Sequence, residues 1–169
     1  MLDEPVCLSP YDENWPELYR VETCRVAAVL PPDTKLEHIG STAVPGLLAK
    51  PIIDIMAGLK TGDSWDGPRT ILSSLGYEDL GEAGVPGRIY FRRRIGTAYN
   101  LHLVEHAKAI WNSNLRLRGY LRANPEAIRE YADAKRSAIE AGATMLLEYS
   151  KHKDEFLRGL IARSDCGRA

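Results

Sequence analysis

The alternation of apolar and polar residues divides the chain into a leading helix, a middle of short strands and a helical C-terminal part. Trp15 to Leu30 predicts a helix whose apolar positions Leu18, Val21, Ala28 and Val29 leave a polar face with Arg20 and Arg25. Asn14 is placed to cap it, Pro16 suits an early helical position, and Pro31-Pro32 stops it. Residues 1–13 read as an extended arm in which Val6-Cys7-Leu8 has the composition of an edge strand. Lys35 to Ile39 reads as a short strand, and Ile52-Ile53-Asp54-Ile55-Met56-Ala57 is a β-branched run of the kind that forms a buried strand. Gly40-Ser41-Thr42 makes a small-residue turn between them, and 45–50 has room for a turn of helix.

Further along, 66–75 predicts a helix closed by Gly76, and 77–80 a short strand. A glycine-rich loop at 82–87 precedes Arg88 to Arg94, which alternates: Ile89 and Phe91 on one face, Arg88, Tyr90, Arg92 and Arg94 on the other. Ile95-Gly96-Thr97 turns this run back into Ala98 to Val104, giving a hairpin. From 108 onward the pattern is helical: 108–123, then Asn124-Pro125 as cap and first position of a helix to about Glu140, then a last helix capped by Thr144 and running to about Arg163, with a frayed tail after Ser164. A helix, mixed strands, then helices predict one α/β domain over 1–169, a mixed β-sheet with helices packed over it.

The chemistry concentrates at 37–56. Asp54 lies in the middle of an apolar strand, where a carboxylate must be paired, hydrogen-bonded or metal-bound. Two roles stay open: an acceptor for backbone N–H groups of the Gly40 turn, or a metal ligand facing a phosphate. Gly40, Ser41 and Thr42 offer backbone N–H groups and two hydroxyls for such a phosphate, as small-residue nests do. Lys50 is placed to pair with the phosphate or with Asp54. His102 shares a strand face with Asn100, and if the hairpin lies beside the Asp54 strand it would act beside Asp54 as metal ligand or general base; a half-buried structural histidine is the alternative. His38 supports the turn. Arg92, with Arg88 and Arg94, has the donors of an anion-binding face, against the alternative of a solvated strand.

The segment His38 to Ile55, HIGSTAVPGLLAKPIIDI, resembles the most recognisable stretch of the GrpB family. Pro10-Tyr11-Asp12, Trp15-Pro16, Gly76-Tyr77, Leu101-His102-Leu103, Tyr120-Leu121-Arg122, Tyr131 with Lys135, and Tyr149 with Lys151 extend the resemblance over nearly the whole chain. It implies a nucleotidyltransferase-like fold, Gly40 and Ser41 cradling phosphates, and Asp54 with His102 as catalytic and metal-binding residues for a divalent ion, Mg²⁺ or Mn²⁺. The resemblance implies no established reaction; the expected ligand is a nucleotide or another phosphate-bearing small molecule, and the reaction, if the chain is an enzyme, is nucleotidyl transfer to a small acceptor. A non-catalytic nucleotide-binding or accessory module is the alternative, since some relatives are fused to dephospho-CoA kinase. The chain departs from the wider pattern at Met56, where a second acid would share the metal with Asp54. Methionine is a poor ligand for Mg²⁺.

Composition narrows the picture further. With 44% hydrophobic and 27% charged residues the chain has the make-up of a folded globular protein. A net charge of −1 gives no reason to expect nucleic acid or a membrane as partner. Cys7, Cys24 and Cys166 form neither a disulfide framework nor a zinc cluster, which suits a reducing cytoplasm. No signal peptide or membrane-spanning run is evident.

Overall fold

The β-branched run extends to Leu59 and becomes an inner strand of the sheet. The computed structural model describes residues 3–166, without the side chains of 153–155 and 164–166. Its strands are β1 (Lys35–Ile39), β2 (Ile52–Leu59), β3 (Glu78–Asp79), β4 (Arg88–Arg93) and β5 (Ala98–Glu105). They lie in the order β1-β2-β5-β4-β3, with β2 and β5 parallel and every other pair antiparallel. The helices are α1 (Trp15–Ala27), α2 (Asp66–Ser74), α3 (Ala109–Ala123), α4 (Pro125–Glu140) and α5 (Leu146–Cys166). The mixed sheet with helices over it is the architecture expected. The tail beyond 166 lies outside the described residues, and α5 continues past the expected end at Arg163.

Alternation along β2 and β5 gives the sheet two different faces. Ile53, Ile55, Leu101 and Leu103 point into the main core with Phe91 of β4, Trp15 and Val26 of α1 and Leu72 of α2. Met56 and Val104 point the other way, where they pack with Ile39 under Trp111 of α3. Met56 is fully buried there. The position that would carry a second acid is therefore core, two residues along from Asp54 on the same face. Gly58 continues this packing: a methyl group there would lie 2.6 Å from the Trp111 ring.

Five expected local features are built differently. Val6-Cys7-Leu8 is not an edge strand. The arm makes only isolated bridges, Pro5 with Met145 and Ser9 with Ala49, while Val6 and Leu8 pack on Ala138, Ala143 and Tyr149. The start of α5 is capped not by Thr144 but by this arm: the Asp3 carboxylate accepts the Leu147 N–H at 3.0 Å and the Glu4 carbonyl accepts that of Leu146 at 2.9 Å. Asn14 and Asn124 stand at helix starts without capping them, because Asn14 donates to Asp12 and Asn124 donates back to the Tyr120 carbonyl of α3. The helical turn expected at 45–50 instead precedes it, as a 3₁₀ turn over Ser41–Ala43.

Candidate functional site

A cleft of about 670 Å³ opens where the helices leave the β2–β5 face uncovered. Asp54 and Asn100 are partners in the parallel register, so their side chains share one face at the cleft floor. The Asn100 amide donates to Asp54 Oδ1 at 2.7 Å, and its own oxygen accepts from Arg94 at 2.9 Å. Arg94 grips Glu4 through two bonds of 2.8 Å each. The arm that caps α5 thereby also fixes which way Asn100 points. Burial pushes the Asp54 pKa up, but the bonds from His102 and Asn100 and the charge of Lys50 outweigh it and hold the carboxyl below its ordinary value.

His102 reaches the same Asp54 oxygen with Nε2, at 3.4 Å. On its other side Nδ1 faces the Arg88 guanidinium at 3.5 Å. A guanidinium only donates. His102 thus lies between the Asp54 carboxylate and the Arg88 guanidinium, with a long contact on each side. Arg88 also donates to the carbonyls of Glu82 and Ala83, at 3.1 and 3.0 Å, and so ties the 82–87 loop to the cleft.

Gly40 closes the site from the β1 side. Its φ of 71° and ψ of −169° lie in a region that L side chains avoid. A methyl group there would collide with the Asp54 carboxylate, 3.0 Å from its carbon atom. Close approach of the turn to Asp54 thus requires glycine. The first internal bond of the 3₁₀ turn runs from the Ala43 N–H to the Gly40 carbonyl, so the N–H groups of Ser41 and Thr42 are not used by the turn itself.

The two hydroxyls of this turn diverge. Thr42 is 1% exposed; its hydroxyl donates to the Ile52 carbonyl at 3.4 Å and lies 3.0 Å from His38 Nε2. His38 stacks on Tyr19, and burial lowers its pKa to about 4. This hydroxyl is committed inward, so it is not offered to the cleft as the sequence led one to expect. Ser41 instead meets Lys135 of α4, whose Nζ donates to Ser41 Oγ and to the Leu48 carbonyl, both at 2.7 Å.

Gly40, Ser41, Thr42, Lys50, Asp54 and His102 all line the cleft. Arg92 does not. It stands opposite Glu78 in the β3–β4 register and bonds to it at 2.7 Å, with Glu4 at 3.9 Å on its other side. The expected anion-binding arginine face is consequently a set of internal contacts: Arg88 to loop carbonyls, Arg92 and Arg94 to carboxylates. Sequence reading left unassigned Arg118, which lines the cleft and ties Glu37 and the His38 carbonyl to α3. Lys135, a basic position of the resemblance expected either to reach substrate phosphates or only to solvate its helix, is buried and does not solvate it.

Among the described residues no three His, Cys, Asp or Glu side chains gather into a metal-binding group. Among the described side chains Asp54 is the one acid lining the cleft, beside His102 and amid the cations Lys50, Arg88, Arg118, Lys135 and Lys151. That donor set does not match the hard oxygen shell Mg²⁺ requires. Among the same residues no helix is long and apolar enough to cross a membrane, and Cys7 and Cys24 are free and exposed.

The family model described as GrpB protein matches residues 5–163, and the chain belongs to the GrpB family. The glutamate-rich protein GrpB of Alkalihalophilus pseudofirmus is 30% identical over 165 residues, which cover 92% of this chain and 94% of that one. The UPF0157 protein YqkA of Bacillus subtilis is 31% identical over 150 residues; they cover 88% of this chain but 44% of YqkA, so the chain spans less than half of that relative. The crystal structure of conserved protein GrpB from Enterococcus faecalis superposes with a TM-score of 0.84 at 30% identity, covering 94% of this chain and 96% of that one. A far weaker likeness is to Cid1 poly(U) polymerase, with a TM-score of 0.47 and 14% identity over 76% of this chain and 44% of that one; a likeness of this degree says nothing of activity.

Proposed function

We propose that the cleft binds a phosphate-bearing small molecule, a nucleotide first among them, and that the chain acts as a binding module within one domain of 1–169 in the cytoplasm. The observation that carries this reading is the charge of the cleft: among the described side chains, five cations (Lys50, Arg88, Arg118, Lys135 and Lys151) and one carboxylate (Asp54) line it together with the small-residue turn. Ser41 and the backbone N–H groups at 41 and 42 would take phosphate oxygens, with Lys50 as a nearby countercharge. Asp54, held ionised, would accept a hydroxyl or amine of the same ligand and exclude a phosphate from its own position. An accessory role of this kind agrees with the family members joined to dephospho-CoA kinase.

Nucleotidyl transfer with Asp54 and His102 as catalytic and metal-binding residues is the second reading. It is favoured by one feature, the opening of the Asp54 carboxylate onto the cleft beside the Gly40 turn.

Thermal unfolding with a nucleotide panel, with and without Mg²⁺ or Mn²⁺, on wild type and Asp54→Ala separates the two, because a ligand that binds the folded state raises its stability. The binding reading expects a shift that is independent of metal. A shift that needs metal and vanishes in Asp54→Ala supports transfer, and no shift with any nucleotide refutes both.

A further inference from the structure

We infer that Lys135 is a positioning residue: its ammonium occupies the acceptor side of the Ser41 hydroxyl and turns the Ser41 O–H toward a ligand's phosphate oxygen. This rests on the reading of the cleft as a phosphate site and assigns a specific donor within it. The two residues are 94 positions apart in the chain and come together at 2.7 Å. An ammonium has donors and no lone pair, so in this bond Ser41 Oγ is the acceptor. The hydroxyl's single proton must then point away from Lys135. Among the described residues nothing accepts it, and Ser41 lines the cleft.

The geometry gives Lys135 little freedom to do otherwise. It is 1% exposed, although lysine is almost never fully buried without partners. Tyr131, one helical turn earlier on α4, places its ring 4.1 Å from Nζ, and the opposing Phe156 stacks with that ring at 5.8 Å between centroids. The bond to the Leu48 carbonyl fixes a second direction of the same ammonium. Thr42 supplies the contrast within the turn, because its proton is directed to the Ile52 carbonyl and is lost to any ligand. Of the two adjacent hydroxyls, only the one addressed by lysine remains a donor to the cleft.

The test is a double-mutant cycle on pyrophosphate affinity, measured by titration calorimetry with wild type, Ser41→Ala, Lys135→Met and the double variant. Loss of one hydrogen bond to a charged group weakens binding about tenfold, so Ser41→Ala is expected to lose that much. Lys135→Met is expected to lose at least as much, and the double variant to match Lys135→Met within about twofold, because an undirected hydroxyl no longer contributes. Losses that multiply, or a Lys135→Met variant that binds like wild type, overturn the inference while leaving the phosphate site standing. Failure of wild type to bind pyrophosphate overturns the site and the inference together. A second measurement does not depend on the folding of Lys135→Met: the ammonium ¹H–¹⁵N signal of Lys135, identified by its loss in Lys135→Arg, is expected to exchange slowly with water and to move in Ser41→Ala. An ammonium that exchanges as fast as surface lysines, or ignores Ser41→Ala, overturns the inference.

Discussion

Gly40→Ala is the sharpest perturbation of the site, since it adds a single methyl group between the turn and Asp54. Two costs follow from the geometry. An L residue held at φ 71° and ψ −169° carries about 1–3 kcal/mol of backbone strain. The methyl would also meet the Asp54 carboxylate and drive it off Asn100 and His102. Losing a hydrogen bond to a charged group costs about 1.5–3 kcal/mol. Together these give an expected loss of about 3–5 kcal/mol, or roughly 10 °C in Tm for a domain of this size. Gly46→Ala is the control: φ is 79° there too, but a methyl would meet nothing within 4 Å. It should cost about 1–2 kcal/mol, the backbone part alone. Equilibrium unfolding in urea reads both, with the slope checked for constancy. In an Asp54→Ala background most of the difference between the two glycines should disappear, because the obstructing carboxylate is gone. Equal losses at Gly40 and Gly46, or a Gly40→Ala loss unchanged by Asp54→Ala, refute the claim that the turn and the acid form one closely fitted unit.

Three further outcomes are expected. His38, buried with its pKa lowered to about 4, resists protonation in the folded state, so its stabilisation is complete above its unfolded value near 6.5 and is lost as pH falls from there toward 4. Over that window wild type should lose about 3 kcal/mol more than His38→Gln, and parallel pH profiles would contradict the assignment. Arg94→Met breaks the ties to Glu4 and Asn100 at once and should cost about 3 kcal/mol, the penalty for stranding one partner of a largely buried ion pair. Because Arg94 holds the Glu4 pKa down, wild type should lose stability below about pH 4.3 more steeply than the variant, and a variant with the wild-type acid slope refutes this role. Gly58→Ala forces a methyl into the Trp111 ring and should cost about 1–3 kcal/mol by urea unfolding; a neutral result would show that α3 is free to move off the sheet.

The strands and the core of the site were legible in the sequence because local pattern determines them. The β-branched run at 52–57 and the alternation of 98–104 put Asn100 and His102 on one face of their strand, but the parallel pairing that sets them beside Asp54 was only a condition in the sequence and is supplied by the fold. What escaped depends on partners distant in the chain. Whether Thr42 or Ser41 keeps a hydroxyl for a ligand is decided by His38 on one side and by Lys135 on the other. The destination of Arg92 is decided by Glu78 and Glu4, across β3 and in the arm, and no spacing within 88–94 records it. Capping was misjudged at Thr144 because an acid at the opposite end of the chain, Asp3, does the work. Polar pairing across long separations leaves no periodicity to read, whereas apolar burial does.

The central claim is that the Gly40–Thr42 turn receives a phosphate, and backbone NMR shifts during a pyrophosphate titration test it most directly. Saturable shifts largest at the N–H groups of Ser41 and Thr42, with Lys50 responding and Arg92 silent, are the result expected. Shifts confined to residues outside the cleft, or no saturable shift at the turn, would contradict it.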